Sequence, residues 1–146
     1  MADPAGHAVA VTLFSEILTN KQLIRNRHAR VLTRGMEISH FPVLNHLARV
    51  AGERRTAQLA KSFHVTRGAI TNTLRRLEAA GYVHIRPDWD DTRRNMIAIS
   101  PAGRTARDAA MAAITPMIAD PIRDRGEDRV RASLSVLREL RLRLEG

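Results

Sequence analysis

Apolar residues recur at helical spacing in the first third of the chain. In the segment from Ala8 to about Leu32 they stand three, four or seven positions apart, which predicts a helix that ends before Gly35. A second helix is predicted from about Ser39 to Val50. Pro42 fits within its first turn, where the missing N–H costs nothing. The pattern therefore indicates two consecutive amphipathic helices.

Two shorter apolar stripes follow closely on one another. The first predicts a helix from Ala57 to Ser62 with Thr56 as its N-cap, and the second a helix from Arg67 to Ala80 with Thr66 as its N-cap. Gly81 closes the second helix, because glycine readily takes the positive φ of the C′ position. A short helix, a tight turn and a longer amphipathic helix form a helix-turn-helix.

The pattern then changes from helical spacing to alternation. Residues Tyr82–Arg86 and Met96–Ile99 are predicted to be paired strands. Residues 87–95 between them are polar and rich in turn formers, so they form the long, charged tip of a β-hairpin. A hairpin placed directly after a helix-turn-helix is the wing of a winged helix.

The last third of the chain returns to helical spacing. The pair Ser100–Pro101 suits a helix start, with Ser at the N-cap and Pro at the first helical position. The helix from Ala102 to about Ile118 is expected to kink or break at Pro116 and Pro121. A final helix is predicted from Glu127 to Leu144. The predicted fold class is mainly α with a small β-hairpin wing: a winged helix-turn-helix domain flanked by N- and C-terminal helices.

Charge adds a first indication of function. The 146 residues carry 24 basic and 15 acidic side chains, a net charge of +9. Much of the surplus lies in the middle, since residues Arg54 to Arg107 hold eleven basic and four acidic residues. A basic segment is the electrostatic footprint of a nucleic-acid binder. On charge alone, a generic solvated basic surface is an equally good interpretation.

The polar face of the second helix of the helix-turn-helix favours a nucleic-acid binder over a generic basic surface. Arg can read guanine, Asn adenine, and Thr either a base edge or a thymine methyl group, and glycine lets the backbone approach a phosphate near the helix start. A solvated polar helix face is the alternative, but the position inside a helix-turn-helix favours DNA. The residues on this face are Arg67, Gly68, Thr71, Asn72 and Arg75.

The hairpin tip supplies a second candidate contact. Arg93 and Arg94 are predicted to protrude, and an arginine placed there can enter a minor groove. Asp91 lies two residues before Arg93 and can hold it in position. Asp88, Asp90 and Asp91 would repel phosphate, so some of them must face inward or pair with arginine. As an alternative, Asp91–Arg93 is only a loop-stabilising ion pair, worth about 0–1 kcal/mol if exposed.

Three stretches of the sequence resemble the MarR (multiple-antibiotic-resistance regulator) family of winged helix-turn-helix regulators. They are Arg55–Ala60, Val65–Val83 and Asp91–Gly103. The last is similar to the Asp-x-Arg wing signature of the family, followed by an apolar strand and a Ser/Thr-x-x-Gly helix start. Upstream, Gly35–Leu44 is similar to the family's entry into the second helix. The resemblance is specific from Phe41 to Gly103 and only helical at both ends.

Three residues in the upstream stretch depart from the family pattern. Glu37 stands where Thr is usual and His40 where Gln is usual, and Pro42 is an addition.

The terminal segments carry apolar stripes that one small winged-helix core cannot cover. These stripes agree with a dimer, which the resemblance also implies.

The resemblance implies a homodimer. One MarR-like domain would span residues 1–146, with a winged helix-turn-helix core at 36–103 and dimerisation helices at 1–34 and 104–146. A two-fold dimer places its recognition helices about 34–36 Å apart on a pseudo-palindromic operator in double-stranded DNA. The predicted DNA-binding residues are Arg55, Thr56, Thr66, Arg67, Gly68, Thr71, Asn72, Arg75, Arg93 and Arg94, with Asp91 supporting the wing.

The resemblance also implies a small effector, often an aromatic or phenolic acid, bound between the dimerisation helices and the winged domain. Its binding would shift the spacing of the recognition helices, and repression is the common mode of the family. His28, Arg30, Met36 and His40 lie at the edge of this pocket in the family pattern. Surface or core side chains without an effector role are the favoured alternative at these four positions. No cofactor is expected.

Composition argues against several other classes of protein. With no cysteine, the chain has no disulfide, thiolate zinc site or thiol-based peroxide sensing. The six histidines do not show the spacing of a metal site. No nucleophile elbow, phosphate loop or zinc-protease helix is present, so we do not expect an enzyme.

Two alternatives remain at this stage. Asp88, Asp90 and Asp91 could form a Mg²⁺ site, although neutralisation by neighbouring arginines is the simpler account. A non-specific architectural or RNA-binding protein is disfavoured, because one Trp and one Tyr offer little stacking surface. No apolar run is long enough to span a bilayer and no secretory signal is visible, so we expect a cytoplasmic protein that is associated with the nucleoid when bound to DNA.

Overall fold

The computed structural model describes residues 3–28, 32 and 36–146. Within these residues it confirms the predicted fold class, mainly α with a small antiparallel sheet. The elements are α1 (Pro4–His28), α2 (Phe41–Arg49), β1 (Arg54–Arg55), α3 (Thr56–Ser62), α4 (Arg67–Ala79), β2 (Val83–Pro87), β3 (Asn95–Ile99), α5 (Pro101–Arg125) and α6 (Glu127–Leu144). The chain divides into two compact units, Met1–Ala110 and Met111–Gly146.

The core of the first unit is built by α2, α3, α4, the sheet and the start of α5. Each element contributes apolar side chains at its own period, and burying one leucine or isoleucine is worth about 1.5–3 kcal/mol. Gly103, Ala106 and Ala110 are the buried residues of α5 and belong to this unit. The most fully buried side chains are Leu44, Leu47, Leu59, Leu77 and Ile97.

Helix α4 has the start and end that the sequence predicts. The Oγ1 of Thr66 accepts a hydrogen bond from the backbone N–H of Ala69 at 3.1 Å, so Thr66 is the N-cap. Gly81 has a φ of +80°, the left-handed conformation expected just beyond a helix. The predicted stripe of Ile70, Leu74 and Leu77 is buried, which fixes the face that α4 turns outward.

The wing is a three-stranded sheet in the order β1-β3-β2, and not only a hairpin. Ile97 in the central strand pairs with Ile85 of β2 and with Arg54 of β1, both antiparallel. Strand β1 has two residues and no alternating pattern of its own. It forms because β3 has a free edge that a short extended segment can join.

Two predicted helix starts in the helix-turn-helix segment need correction. Helix α2 begins at Phe41 and not near Ser39, because the N–H of His40 donates to the carbonyl of Glu37 at 2.9 Å and forms a turn before the helix. Thr56 is the first residue of α3 and not its N-cap. The N-cap is Arg55, whose N–H donates to the side chain of Gln58 at 2.9 Å.

Helix α1 begins at Pro4, earlier than the predicted Ala8. Its predicted end near Leu32 and the predicted stop at Gly35 fall on a stretch in which residues 29–31 and 33–35 lie outside the described part of the chain.

The fifth helix was predicted to kink or break at its prolines. A break is wrong, because α5 continues through Pro116 and Pro121 to Arg125, and a kink stays a prediction. Proline fixes φ near the helical value and removes one N–H, so the turns on either side can keep their own hydrogen bonds. Its predicted start is confirmed, since Ser100 Oγ accepts from the N–H of Gly103 at 3.0 Å.

The second unit holds the remainder of α5 and the whole of α6, whose bounds match the prediction. Helix α6 opens with Glu127 and Asp128 at its positive end and has no buried residue. Within the described part of the chain, no helix combines the length and apolar character needed to cross a bilayer.

Candidate nucleic-acid interface

A basic cleft lies where the start of α3, the first turns of α4 and the tip of the wing meet. Its volume is about 380 Å³. Four arginines and no carboxylate are among its lining residues, so the cleft attracts anions and offers guanidinium donors in fixed forks. The lining residues are Arg55, Thr56, Ala57, Arg67, Thr71, Arg93, Arg94 and Asn95.

Six of the ten predicted DNA-binding residues are brought together in this cleft. They come from three separate stretches of the chain, and the sheet explains how. Arg55 lies on β1 and pairs in register with Met96 of β3, which places it beside the wing. Asn95 begins β3 and joins the cleft, although no motif in the sequence points to it. The six are Arg55, Thr56, Arg67, Thr71, Arg93 and Arg94.

Helix α4 extends the polar surface beyond the basic cleft. Arg67, Thr71 and Arg75 stand four residues apart and form one stripe along the helix. Arg75 lines a neighbouring cleft of about 200 Å³ that also contains Glu78. Both clefts share Thr56, Thr71 and Asn95. The basic cleft thus continues along the outward face of α4.

The three remaining predicted residues lie on the same helix or at its start. Thr66 is exposed and uses its hydroxyl as the N-cap. A Cβ added at Gly68 would meet nothing within 4 Å, so the backbone there is open to an approaching phosphate. Asn72 is exposed on the next turn. The roles of all ten residues in DNA contact stay predictions.

The wing tip is fixed by Asp91, as the sequence predicts. The Nε and Nη2 of Arg93 donate to the two carboxylate oxygens of Asp91 at 3.0 and 3.2 Å. The Nε of Arg94 lies 3.3 Å from the same carboxylate. Arg93 remains 89% exposed in its side chain, so the carboxylate orients this guanidinium without hiding it.

Asp91 is charged over the whole physiological range. The hydrogen bonds from the side chain and backbone of Arg93 hold the pKa of Asp91 below its ordinary value of 3.8, and Arg94 and Arg55 add to this effect. A carboxyl with a lowered folded-state pKa stabilises the fold above its unfolded pKa and loses that contribution as the pH falls through the folded value. The tether on Arg93 is therefore complete at neutral pH.

The effector candidates lie in different surroundings. Met36 and His40 are 6% and 3% exposed. The Nδ1 of His40 accepts from the N–H of Glu37 at 3.1 Å, which ties the side chain to the turn before α2. Arg30 lies outside the described residues, and His28 is described only as the last residue of α1. An effector role for these positions stays a prediction.

The residues that the structure describes contain no group of three or more His, Asp or Glu side chains placed to hold a metal ion. Asp91 is bound by two arginines. The carboxylate of Asp88 accepts from the N–H of Asp90 at 3.0 Å, as in a local turn.

Comparison with known proteins finds one family match, within the winged helix-turn-helix segment. A family model described as the MarR family matches residues 34–94, the segment that contains α2 to the wing tip. The resemblance to the MarR family is confirmed. MarR-family regulators are non-enzymatic transcription factors, which agrees with the expectation from the sequence. No curated protein sequence matches the chain significantly.

Solved structures share the MarR-type fold over nearly the whole chain. PcaV from Streptomyces coelicolor is 18% identical with a TM-score of 0.75, and 96% of this chain covers 95% of PcaV. FabT from Streptococcus pneumoniae is 20% identical with a TM-score of 0.74, over 95% of this chain and 97% of FabT. A mutant MarR from E. coli is 18% identical with a TM-score of 0.73, over 95% and 99%. At these identities the likeness establishes the fold alone.

Arg93→Ala is expected to weaken binding to operator DNA and to leave the fold intact, because Arg93 is exposed and its side chain bonds to an aspartate two residues away in the same loop. If each Arg93 contacts one phosphate, the slope of log affinity against log salt falls by about one per subunit. Fluorescence anisotropy of labelled DNA at several salt concentrations measures both. Arg76→Ala removes the same charge outside both clefts and serves as the control. Unchanged affinity and slope would show that Arg93 does not contact DNA.

Proposed function

We propose that this protein is a sequence-specific DNA-binding transcriptional regulator. The observation that carries the proposal is the basic cleft. Arginines from β1, α4 and the wing converge there, and the surface continues onto the outward face of α4. Phosphates fit the arginine cleft, and base edges fit the polar stripe of the helix. Specific DNA binding requires both kinds of contact, because phosphate contacts position the protein and base contacts specify the sequence.

In this proposal α4 lies in the major groove. Its buried stripe faces the core, so Arg67, Thr71 and Arg75 face the duplex. Arg75 and Asn72 are the candidate base readers, because guanidinium pairs with guanine and carboxamide with adenine. Arg93 enters the adjacent minor groove from the wing. A MarR mutant from E. coli has been solved with operator DNA and FabT from S. pneumoniae with DNA, which supports this docking.

The proposed active form is a homodimer on a pseudo-palindromic operator. Large apolar side chains are exposed along α1 and α6, and exposed apolar surface of this extent marks an interaction site. On α1 they are Val9, Val11, Leu13, Phe14, Leu18 and Leu23; on α6 they are Leu134, Val136, Leu137, Leu142 and Leu144. A two-fold pair presents two α4 helices to successive major grooves, about 34–36 Å apart.

We also propose that the regulator is a repressor that a small effector releases from DNA, with no cofactor. PcaV from S. coelicolor has been solved with its natural ligand, which supports a ligand in this fold. An aromatic or phenolic acid is the proposed class, with His28, Arg30, Met36 and His40 as candidate contacts. Such a ligand acts only if it binds the non-operator conformation more tightly. The proposed location is the cytoplasm, at the nucleoid when DNA is bound.

A binding isotherm tests the proposal. The full-length protein is titrated into labelled intergenic DNA from upstream of its own gene, and into a scrambled duplex of equal length, at two salt concentrations. We expect a preference for the upstream DNA of about a thousandfold or more. The stoichiometry should be one dimer per palindrome.

Two controls make the result decisive. Footprinting locates the protected palindrome and shows whether contacts extend into its flanks. Analytical ultracentrifugation of the free protein reports its oligomeric state. Equal and steeply salt-dependent binding to both duplexes, repeated on genomic fragments, would contradict specific regulation and identify a non-specific basic binder.

A further inference from the structure

The wing tip carries a side chain that the basic cleft does not use. Trp89 is the one tryptophan of the sequence, and it is 83% exposed. Tryptophan usually buries much of its ring, because few side chains gain as much from leaving water. An exposed indole on the loop that also carries Arg93 and Arg94 therefore needs an explanation.

The indole of Trp89 is held in place. The Cζ of Arg86 lies 4.0 Å from the centroid of the ring, in cation–π geometry. One ring face is thus occupied by the guanidinium, while most of the side chain remains in solvent. The contact gives Trp89 a defined orientation without burying it.

Arg86 in turn is fixed by its own hydrogen bonds. Its Nε and Nη2 both donate to Oε1 of Glu53, at 3.2 and 2.7 Å. Its Nη1 donates to the carbonyl of Pro87 at 2.9 Å. All three nitrogens are engaged within the protein, so Arg86 serves as the base on which the indole rests and not as a phosphate contact.

The backbone of the tip is closed as well. The N–H of Asp88 donates to the carbonyl of Arg94, and the N–H of Arg94 donates to the carbonyl of Asp91, both at 2.9 Å. The N–H of Asp90 donates to the side chain of Asp88 at 3.0 Å, so Trp89 lies inside a local turn. A side chain that is fixed before binding loses little entropy when it makes a contact.

The charged residues of the wing tip indicate what kind of contact it can make with DNA. Residues 87–94 hold three aspartates and two arginines. Both arginines are bound to Asp91, and Asp88 and Asp90 flank the indole. The part of the loop next to Trp89 is therefore acidic and does not attract phosphate by its charge. Beyond the two arginines that line the basic cleft, a contact made by the tip has to come from an uncharged group.

We infer that Trp89 is a DNA contact of the wing, with Arg86 and Glu53 as its positioning residues. The free face of the indole packs against the sugar–phosphate backbone of the operator flank, and its Nε1–H donates to a phosphate oxygen. This inference rests on the proposed function. It assigns to the wing an uncharged contact that affects operator affinity but not its dependence on salt.

Tryptophan emission, excited at a wavelength that tyrosine does not absorb, tests the contact directly, because Trp89 is the one tryptophan of the sequence. The full-length protein is titrated with the footprinted operator carrying ten flanking base pairs on each side, and with the same palindrome without flanks. Anisotropy of a dye on the DNA reports binding independently. We expect quenching and a shorter emission wavelength with the long duplex only. Binding of the long duplex without any change in emission would overturn the inference and leave the proposed function standing.

Two variants of Trp89 separate this contact from charge. Trp89→Ala is expected to weaken binding to the long duplex by about tenfold, since each subunit loses a contact of hydrogen-bond size. The slope against salt should not change, whereas Arg93→Ala lowers it. Trp89→Phe keeps the packing and loses the N–H donor, so it should recover part of the affinity. Wild-type affinity in Trp89→Ala would contradict the contact.

Arg86→Lys tests the positioning role. It retains the charge but loses the planar fork that holds Glu53 and stacks on the indole. We expect a changed emission of the free protein and at least half of the Trp89→Ala effect on the long duplex, with the salt slope unchanged. Wild-type emission and affinity would show that Trp89 does not depend on Arg86. If no duplex is bound by the wild-type protein, the failure belongs to the proposed function.

Discussion

Gly103→Ala is expected to destabilise the protein by about 3 kcal/mol or more, an overpacking effect at the upper end of the usual range. A Cβ at this position would lie 2.1 Å from the carbonyl oxygen of Tyr82 and 2.9 Å from Cγ1 of Ile99. The first atom belongs to the backbone and cannot turn away as a flexible side chain can. The start of α5 therefore has to move away from the end of α4, or the chain does not fold.

The surroundings of Gly103 make such a movement costly. The carbonyl of Tyr82 accepts from the N–H of Ser100 at 3.0 Å. The hydroxyl of Ser100 donates to the carbonyl of Gly81 at 2.6 Å. Separating the two segments would break these hydrogen bonds and open the core beside Ile99. The wing would also lose the connection that fixes it to α4.

Gly68→Ala is the matched control, since both glycines lie in the first turn of a helix. Nothing lies within 4 Å of a Cβ at Gly68. Alanine there should stabilise α4 by roughly 0.5–1 kcal/mol, the usual difference in helix propensity. Chemical denaturation of both variants measures the contrast. A loss of less than about 1 kcal/mol in Gly103→Ala would mean that the start of α5 is not rigidly packed on Tyr82.

Gly103 shows which features of the structure can be predicted from the sequence and which cannot. The family resemblance predicted a Ser-x-x-Gly helix start at Ser100, and hydroxyl capping is a local property that a short motif encodes. The reason for the glycine is not local. It depends on the carbonyl of Tyr82, which lies 21 residues earlier and is brought there by the hairpin.

Other differences between the predicted and the observed elements have the same cause, because a local sequence pattern does not encode contacts between distant segments. Strand β1 has no periodicity, because two residues cannot show one, and it exists only through its pairing with β3. The prolines of α5 predict a kink or a break by local rules, and the helix continues through both without a break. Helix α4 was predicted within one residue because its N-cap, its buried stripe and its closing glycine all lie inside one continuous segment.

The candidate interface also has features that the local sequence predicts and features that depend on contacts between distant segments. The outward face of α4 can be derived from the helical period once the buried stripe is known, and the Asp91–Arg93 tether from a spacing of two residues. The convergence of Arg55 with the wing requires the β1–β3 pairing. The stacking of Arg86 on Trp89 has no signal in the sequence, because Trp89 by itself looks like a loop residue.

Arg75→Ala is expected to weaken operator binding by about 1–3 kcal/mol for each half-site and to relax specificity at one base-pair position. Arg75 is exposed on the outward face of α4, one turn beyond Thr71 and beside the basic cleft. A guanidinium that binds guanine bidentately loses both hydrogen bonds at once when it is removed. In a two-fold dimer both half-sites are affected, so the total loss of affinity is the largest that a single binding-site substitution should produce.

The measurement is a set of isotherms on the operator and on variants with one symmetric base-pair change. Arg76→Ala is the control, since Arg76 follows Arg75 on the same helix and bonds to Glu37 at 2.9 Å, away from the clefts. Its ion pair is exposed, so its loss should cost at most about 1 kcal/mol of stability and leave the base preference intact. Asn72→Ala is expected to relax a different position.

The pattern across the base variants distinguishes the two ways in which Arg75 could bind DNA. If Arg75 reads a base, Arg75→Ala and the matching base-pair change do not add, because each removes the same interaction. If Arg75 binds only phosphate, affinity falls uniformly over all sequences and the salt slope decreases by about one. Unchanged affinity in both Arg75→Ala and Asn72→Ala would contradict the outward face of α4 as the reading surface. Specificity would then have to come from the shape of the DNA, read by the arginines of the basic cleft.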